Sequence, residues 1–244
     1  MNSISSKTLP RGGFLLALYF TCSFTLNARA NEEPIALPIS ISTFTQTLND
    51  INLKVAPQVK QSFGERKVFR ATGDWHKEYS ESSAGGSYYH PEISGVEWAD
   101  SWGVHIVGWL ARLPGFDTDT ITFILCHELG HHVFGGEAEV AADHFAAKCL
   151  RWTWSAVANS KWLVAKVNQL SVATKTTCAN VTTSGEREFC LRTITAYGAT
   201  ESFRTDIWKK RKILTDSEIK SANICRRSAV LNGIVGQPSP ECQF

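Results

Sequence analysis

The chain has 244 residues, with 25 Lys and Arg against 23 Asp and Glu, a formal net charge of +2. So near a balance, there is no electrostatic case for a nucleic-acid partner or for an anionic membrane surface. The length suits one domain with a real core, or a domain with a helical appendage.

Residues 1–30 have the pattern of an export signal. Lys7 and Arg11 precede an apolar run over 14–26, and Ala28-Arg29-Ala30 supplies a small-x-small cleavage site. The run is thirteen residues long, too short to span a bilayer comfortably. Cleavage after Ala30 starts the mature chain at Asn31. It removes Lys7, Arg11 and Arg29 and no acid, leaving 22 basic against 23 acidic residues and a net charge of −1. No later apolar run approaches membrane length. The expectation is an exported protein, periplasmic or extracellular, with no membrane association after signal cleavage. An Asn180-Val181-Thr182 sequon matters only in a host that glycosylates exported proteins.

Cys22 falls within the signal, and six cysteines remain: Cys126, Cys149, Cys178, Cys190, Cys225 and Cys242. An even number in an exported chain favours disulfides, and none of the six has the C-x-x-C spacing of a zinc or redox site. Six cysteines allow fifteen pairings. Proximity favours Cys178–Cys190 and Cys225–Cys242, which leaves Cys126–Cys149.

Taken in order, residues 31–40 are a Pro-punctuated lead-in. From Ser42 the apolar positions Phe44, Leu48, Ile51 and Val55 recur at helical spacing until Pro57 interrupts them. Residues 68–72 suit a short strand ended by Gly73-Asp74, 80–87 a loop or hairpin tip, and Tyr88-Tyr89-His90 a second strand stopped by Pro91. Residues 102–110, rich in β-branched and aromatic types, predict a third strand. Pro114-Gly115 turns the chain, and Asp117 or Thr118 caps a helix over about 119–134, which Gly135-Gly136 ends. A further helix covers about 137–154. Three more helical stretches follow near 155–173, 185–211 and 216–232. Thr183 with Glu186, and Thr215 with Glu218, read as capping boxes, and Asn232-Gly233 as the last stop. The expected class is α+β: a small N-terminal mixed sheet packed on the 119–134 helix, then a helical C-terminal part with disulfides.

The chemistry lies in Cys126-His127-Glu128-Leu129-Gly130-His131-His132 and in Glu137-Ala138-Glu139-Val140-Ala141-Ala142-Asp143. The first contains H-E-x-x-H, whose two imidazoles, four residues apart, project from one helix face and can share one zinc ion. Glu128 then stands beside a water that the metal activates. A catalytic zinc normally takes three protein ligands, and the third must come from beyond the helix. Glu137 and Glu139 are the carboxylates that follow the Gly135-Gly136 break. His132 points about 100° away from His131, which suits a polar residue near the helix end interacting with its carbonyls. His76 and His90 are most economically read as non-ligands.

Over residues 99–150 the sequence resembles the gluzincins, zincin metallopeptidases that join H-E-x-x-H to a downstream E-x-x-x-D. The resemblance implies a zincin-like part over 31–154, with 155–244 as a helical C-terminal part that matches no family by its motifs. It also implies Glu139 as third zinc ligand and Asp143 as the carboxylate behind a ligand imidazole. The seven residues between His131 and Glu139 make a short connection for that family. The rival is the metzincin spacing, which would use Glu137; only Glu139 has an Asp one helical turn further on.

The implied activity is an exported zinc metallopeptidase acting on a peptide or protein, with Glu128 as general base. His105, His144, Tyr197 and Arg204 are the candidates for stabilising an oxyanion. Residues 102–110 are placed in order either as an edge strand that pairs with substrate or as an interior strand. Two further readings use the same residues: a zinc-binding scaffold without catalysis, against which an intact Glu128 speaks, and a hydrolase of a non-peptide amide such as a cell-wall crosslink.

Overall fold

The computed structural model describes residues 39–63, 69–76, 87–89, 102–135, 138–154, 170, 172–181 and 183–242. The expected signal segment, Glu137 and most of the expected 155–173 helix lie outside them. All the described residues belong to one compact unit, Glu33–Phe244.

Ser40 opens helix α1 (Ile41–Asp50) by accepting from the Thr43 amide. Pro57 does not end the helical run as its position predicts. A wide π-helical turn over Ile51–Val55 intervenes, and α2 (Ala56–Phe63) begins one residue before the proline, where a missing N–H costs little. Strands β1 (Phe69–Asp74), β2 (Ser87–Tyr89) and β3 (Trp102–Val107) form one mixed sheet in the order β1-β3-β2. β1 runs parallel to β3 with Thr72 opposite His105, and β2 runs antiparallel to it.

β3 therefore has a neighbour on each side and no free edge, which removes the edge-strand reading of this segment. It also stops at Val107, and one helical turn, α3 (Gly108–Ala111), follows. On the outer side of β1, Asn52 from the π-turn closes the edge at one residue. Its side-chain amide donates to the Ala71 carbonyl and accepts from the Ala71 N–H, both at 2.8 Å.

Helix α4 (Thr118–Phe134) is capped by Asp117, whose side chain accepts from Thr120 N. Ile121, Phe123, Leu125, Cys126 and Leu129 are all fully buried, so the helix is covered almost all round. It stops at Gly135, whose φ of 103° suits glycine and few other residues. Helix α5 (Glu139–Thr153) packs back along it. After the short α6 (Val172–Thr177), two long helices, α7 (Ser184–Arg211) and α8 (Asp216–Val235), pack on α4 and α5 respectively, and on each other. Ion pairs mark these contacts. Arg192 of α7 grips Asp119 of α4 at 2.7 and 2.6 Å. Arg151 of α5 grips Glu186 of α7 at 2.7 and 2.8 Å and reaches the Ile234 carbonyl of α8.

Two local expectations change in this C-terminal part. Both carboxylate oxygens of Glu186 are taken by Arg151 instead of returning to Thr183, so the reciprocal capping box forms only at Thr215–Glu218. Helix α8 runs through Asn232-Gly233 and ends at Gly236, φ 74°. Gly233 serves the α5 contact instead: a Cβ there would meet the His144 carbonyl oxygen at 2.5 Å. The class is thus α+β, mostly helical, and the disulfides are Cys178–Cys190 and Cys225–Cys242, the two pairs that proximity favours, and Cys126–Cys149, the pair they leave. Among the described residues no helix is long and apolar enough to cross a membrane.

Gly130, inside the H-E-x-x-H segment, is where α5 comes closest. A Cβ there would lie 2.7 Å from the Ala142 Cα, so the two helix backbones must separate to admit it. We expect Gly130→Val to lower stability by about 1–3 kcal/mol through overpacking, and to weaken metal binding because the helices then no longer meet at the spacing below. Urea denaturation and zinc titration check this; a variant as stable and as tight-binding as the parent would refute it.

Candidate metal centre

The close α4–α5 contact brings three side chains together. His127 and His131 present their Nε2 atoms from α4, and Glu139, the first residue of α5, presents its carboxylate. The two Nε2 atoms are 3.0 Å apart, His127 Nε2 is 3.4 Å from Glu139 Oε2, and His131 Nε2 is 3.6 Å from Glu139 Oε1. Zinc bonds of about 2.0–2.2 Å at tetrahedral angles separate ligand atoms by about 3.3–3.6 Å. These spacings, the last two to different oxygens of Glu139, are of the size a single zinc ion needs.

The far side of each ring is held. His127 Nδ1 lies 2.8 Å from Asp143 Oδ1, and His131 Nδ1 lies 3.2 Å from the carbonyl oxygen of Gly135. A carboxylate and a carbonyl only accept, so each Nδ1 carries a proton and each Nε2 is the nitrogen left to face a metal. Glu137, the alternative third ligand, lies outside the described residues.

Arg226 of α8 was not legible as part of this centre, yet it joins the carboxylates. Its guanidinium meets Asp143 at 2.5 Å (Nε to Oδ2) and 3.1 Å (Nη2 to Oδ1), and Glu139 Oε2 at 2.7 Å from Nη1. Asp143 and Arg226 are only 1% and 2% exposed, so each requires the other in this low-dielectric place. A signal for it exists in the sequence. Arg226 falls on the helical face otherwise made of Ile219, Ala222, Ala229, Val230 and Gly233, and a charge on an apolar face needs a buried partner.

The electrostatics follow from these contacts. Burial alone would lower the His127 pKa, but Asp143 and then Glu139 raise it to about 9. Burial would raise Glu139 and Asp143, yet their His and Arg226 partners hold both carboxyls well below the usual range. A metal entering this centre therefore meets two ionised carboxylates and displaces a proton from His127.

The centre opens into a cleft of about 290 Å³. Glu128 lines it beside His127 and Glu139, as the helical offset from the two histidines requires. Leu110, Phe123 and Ile124 form one wall, and Phe203, Ile207 and Trp208 of α7 form the other. This second wall carries no motif and went unnoticed in the sequence.

Of the four oxyanion candidates, Arg204 alone lines the cleft. His105 is in the sheet, with its Nδ1 3.2 Å from Thr72 Oγ1. The His144 Nε2 donates to the Gln237 carbonyl at 2.8 Å, just beyond the C-terminal end of α8. Tyr197 is wholly buried, and its hydroxyl accepts from Arg204 Nη2 at 3.2 Å. His132 is buried and stands apart from the metal-facing group.

We expect Glu139→Ala to cost two orders of magnitude or more in zinc affinity, because a ligand and its inward charge are both lost; Glu137→Ala should change it less than about threefold. Competitive zinc titration of both variants checks the assignment, and the reverse order would overturn it.

No family model, curated protein or solved structure matches the chain.

Proposed function

We propose that this chain is a zinc-dependent peptidase, exported from the cell that makes it. The observation that carries the reading is the group of His127, His131 and Glu139, with contacts of 3.0 Å between the two Nε2 atoms and of 3.4 and 3.6 Å from them to the two Glu139 oxygens, on an open cleft that Glu128 also lines. Zinc fits this donor set better than calcium or magnesium, which prefer an all-oxygen shell.

When bound, zinc supplies Lewis acidity toward both a water molecule and the carbonyl of the bond to be cleaved. The chain's own residues do the rest. Glu128 takes a proton from the attacking water as its oxygen bonds to the carbonyl carbon, and delivers that proton to the amine nitrogen as the C–N bond breaks. Asp143 orients the His127 ring through Nδ1 and the Gly135 carbonyl does the same for His131, so that both Nε2 atoms would face a metal held there. Arg226 fixes the Glu139 carboxylate, which could otherwise rotate out of the centre.

The purified mature protein should bind one zinc per chain and cleave members of a broad peptide library. A strong chelator should abolish cleavage, and added zinc should restore it. A protein that holds zinc and cleaves no peptide would fail this reading and leave a scaffold or a non-peptide amidohydrolase.

A further inference from the structure

We propose that Arg204 anchors a carboxylate in the cleft, so that the preferred ligand is a peptide ending in a bulky apolar residue with a free α-carboxyl group. This rests on the peptidase reading for what is cleaved, and on the cleft alone for what is bound.

Arg204 sits on the α7 face that walls the cleft. Its Nη2 donates to the Tyr197 hydroxyl at 3.2 Å, and its guanidinium lies 5.1 Å from the Trp208 ring centroid and 5.7 Å from that of Tyr197. Its Nε is buried with no hydrogen-bond acceptor. Among the described residues, no carboxylate pairs with it.

Arg226, which also lines the cleft, differs in that Glu139 and Asp143 already neutralise it. Tyr197 offers Arg204 no negative charge, since burial pushes its phenol up and keeps it protonated. An arginine that lines a cleft, is oriented by aromatic rings and has no counter-ion is suited to a carboxylate from outside.

The walls choose between sources of that carboxylate. Leu110, Phe123 and Ile124 face Phe203 and Ile207 across about 290 Å³, room for one large apolar side chain. An Asp or Glu side chain would satisfy Arg204 and leave these walls uncovered. A terminal apolar residue carries both groups on one Cα. The contacts that hold Arg204 run to Tyr197 and Trp208 of its own helix and not to the metal-facing side chains, which suits anchoring over participation at the reacting carbonyl.

The test is calorimetric titration of the zinc-loaded protein with three probes: N-acetyl-phenylalanine, its α-amide, and N-acetyl-aspartic acid α-amide. The free acid should bind about tenfold or more tightly than its amide, and the aspartyl probe no better than that amide. Arg204→Gln should erase the preference for the acid, and Arg204→Lys, which keeps the charge without the fork, should retain part of it. Equal binding of acid and amide overturns the proposal, as does a preference that survives in Arg204→Gln through direct contact with zinc. Tighter binding of the aspartyl probe overturns the chain-end assignment. An Arg204-dependent preference for the acid in a protein that cleaves no peptide leaves the subsite standing and removes the peptidase reading. Cleavage without that preference does the reverse.

Discussion

Glu128→Gln should leave zinc bound at its original affinity and reduce peptide hydrolysis by about 10²–10⁴-fold or more. The metal-facing group is His127, His131 and Glu139, so the substitution removes no ligand. Gln has nearly the same volume as Glu, so the cleft that residue 128 lines keeps its shape. What is lost is the ability to take a proton from water and return it to the leaving amine. Zinc content by mass spectrometry of metals and steady-state kinetics on one cleaved peptide separate the two effects. Hydrolysis within a few-fold of the parent would remove Glu128 from the role of base, and loss of zinc would make it a ligand instead.

The second large effect should come from Arg226, which among the three side chains that could hold a metal touches only the carboxylate of Glu139. Arg226→Met leaves Asp143 ionised, 1% exposed and without its bidentate partner. Breaking a buried ion pair on one side costs about 3–5 kcal/mol, so the urea midpoint should fall markedly. Zinc affinity should fall about 10–100-fold, as it does when groups behind the ligands are removed, because Glu139 and the Asp143–His127 pair both lose their fixed orientation. Arg226→Lys should recover some stability and little zinc affinity, since one ammonium cannot bond both carboxylates as the fork does.

The pH dependence has a definite sign. Burial would raise Asp143, but Arg226 and His127 hold it below its ordinary 3.8. Its contribution to stability is therefore fully present above that value and lost as pH falls through the lower, folded pKa. Acid titration of unfolding should show this loss in the parent and a smaller one in Arg226→Met. A variant with unchanged stability and zinc affinity would show that the α8 contact is incidental.

Both predictions concern α4 and its neighbours, and they differ in how much of them the chain order reveals. Glu128 follows from helix period alone: residues 127, 128 and 131 stand in one turn of α4, so their relative positions are set by local geometry. Glu139 and Asp143 are the same case on α5, spaced by one turn. The helix starts at Asp117, Thr183 and Thr215 are local in the same sense, because a cap bonds a residue two or three places on. The disulfide pairs also followed chain proximity, with separations of 23, 12 and 17 residues.

What could not be read lies at longer range. Arg226 reaches Asp143 across 83 residues, and its helix position signals a buried charge without naming the partner. Gly233 looks like a helix stop until the α5 backbone is found against it; only then does it become a packing residue, with Gly236 as the true end. β3 has the composition of a strand in any location, and only pairing on both sides makes it central. Tyr197, His144 and His105 are polar residues whose chemistry suits a reacting site, but the crossings of their elements point them elsewhere.

By itself, then, the sequence determined the elements, their caps and the two halves of the metal motif, because helix period and capping act over a few neighbouring residues. Only the tertiary structure decided that the halves meet, through the missing side chain of Gly130 where α5 crosses α4. It also decided that α8 supplies Arg226 and that α7 supplies the cleft's second wall with Arg204. Those outcomes depend on how helices far apart in the chain pack, and packing is a property of the whole set of surfaces at once.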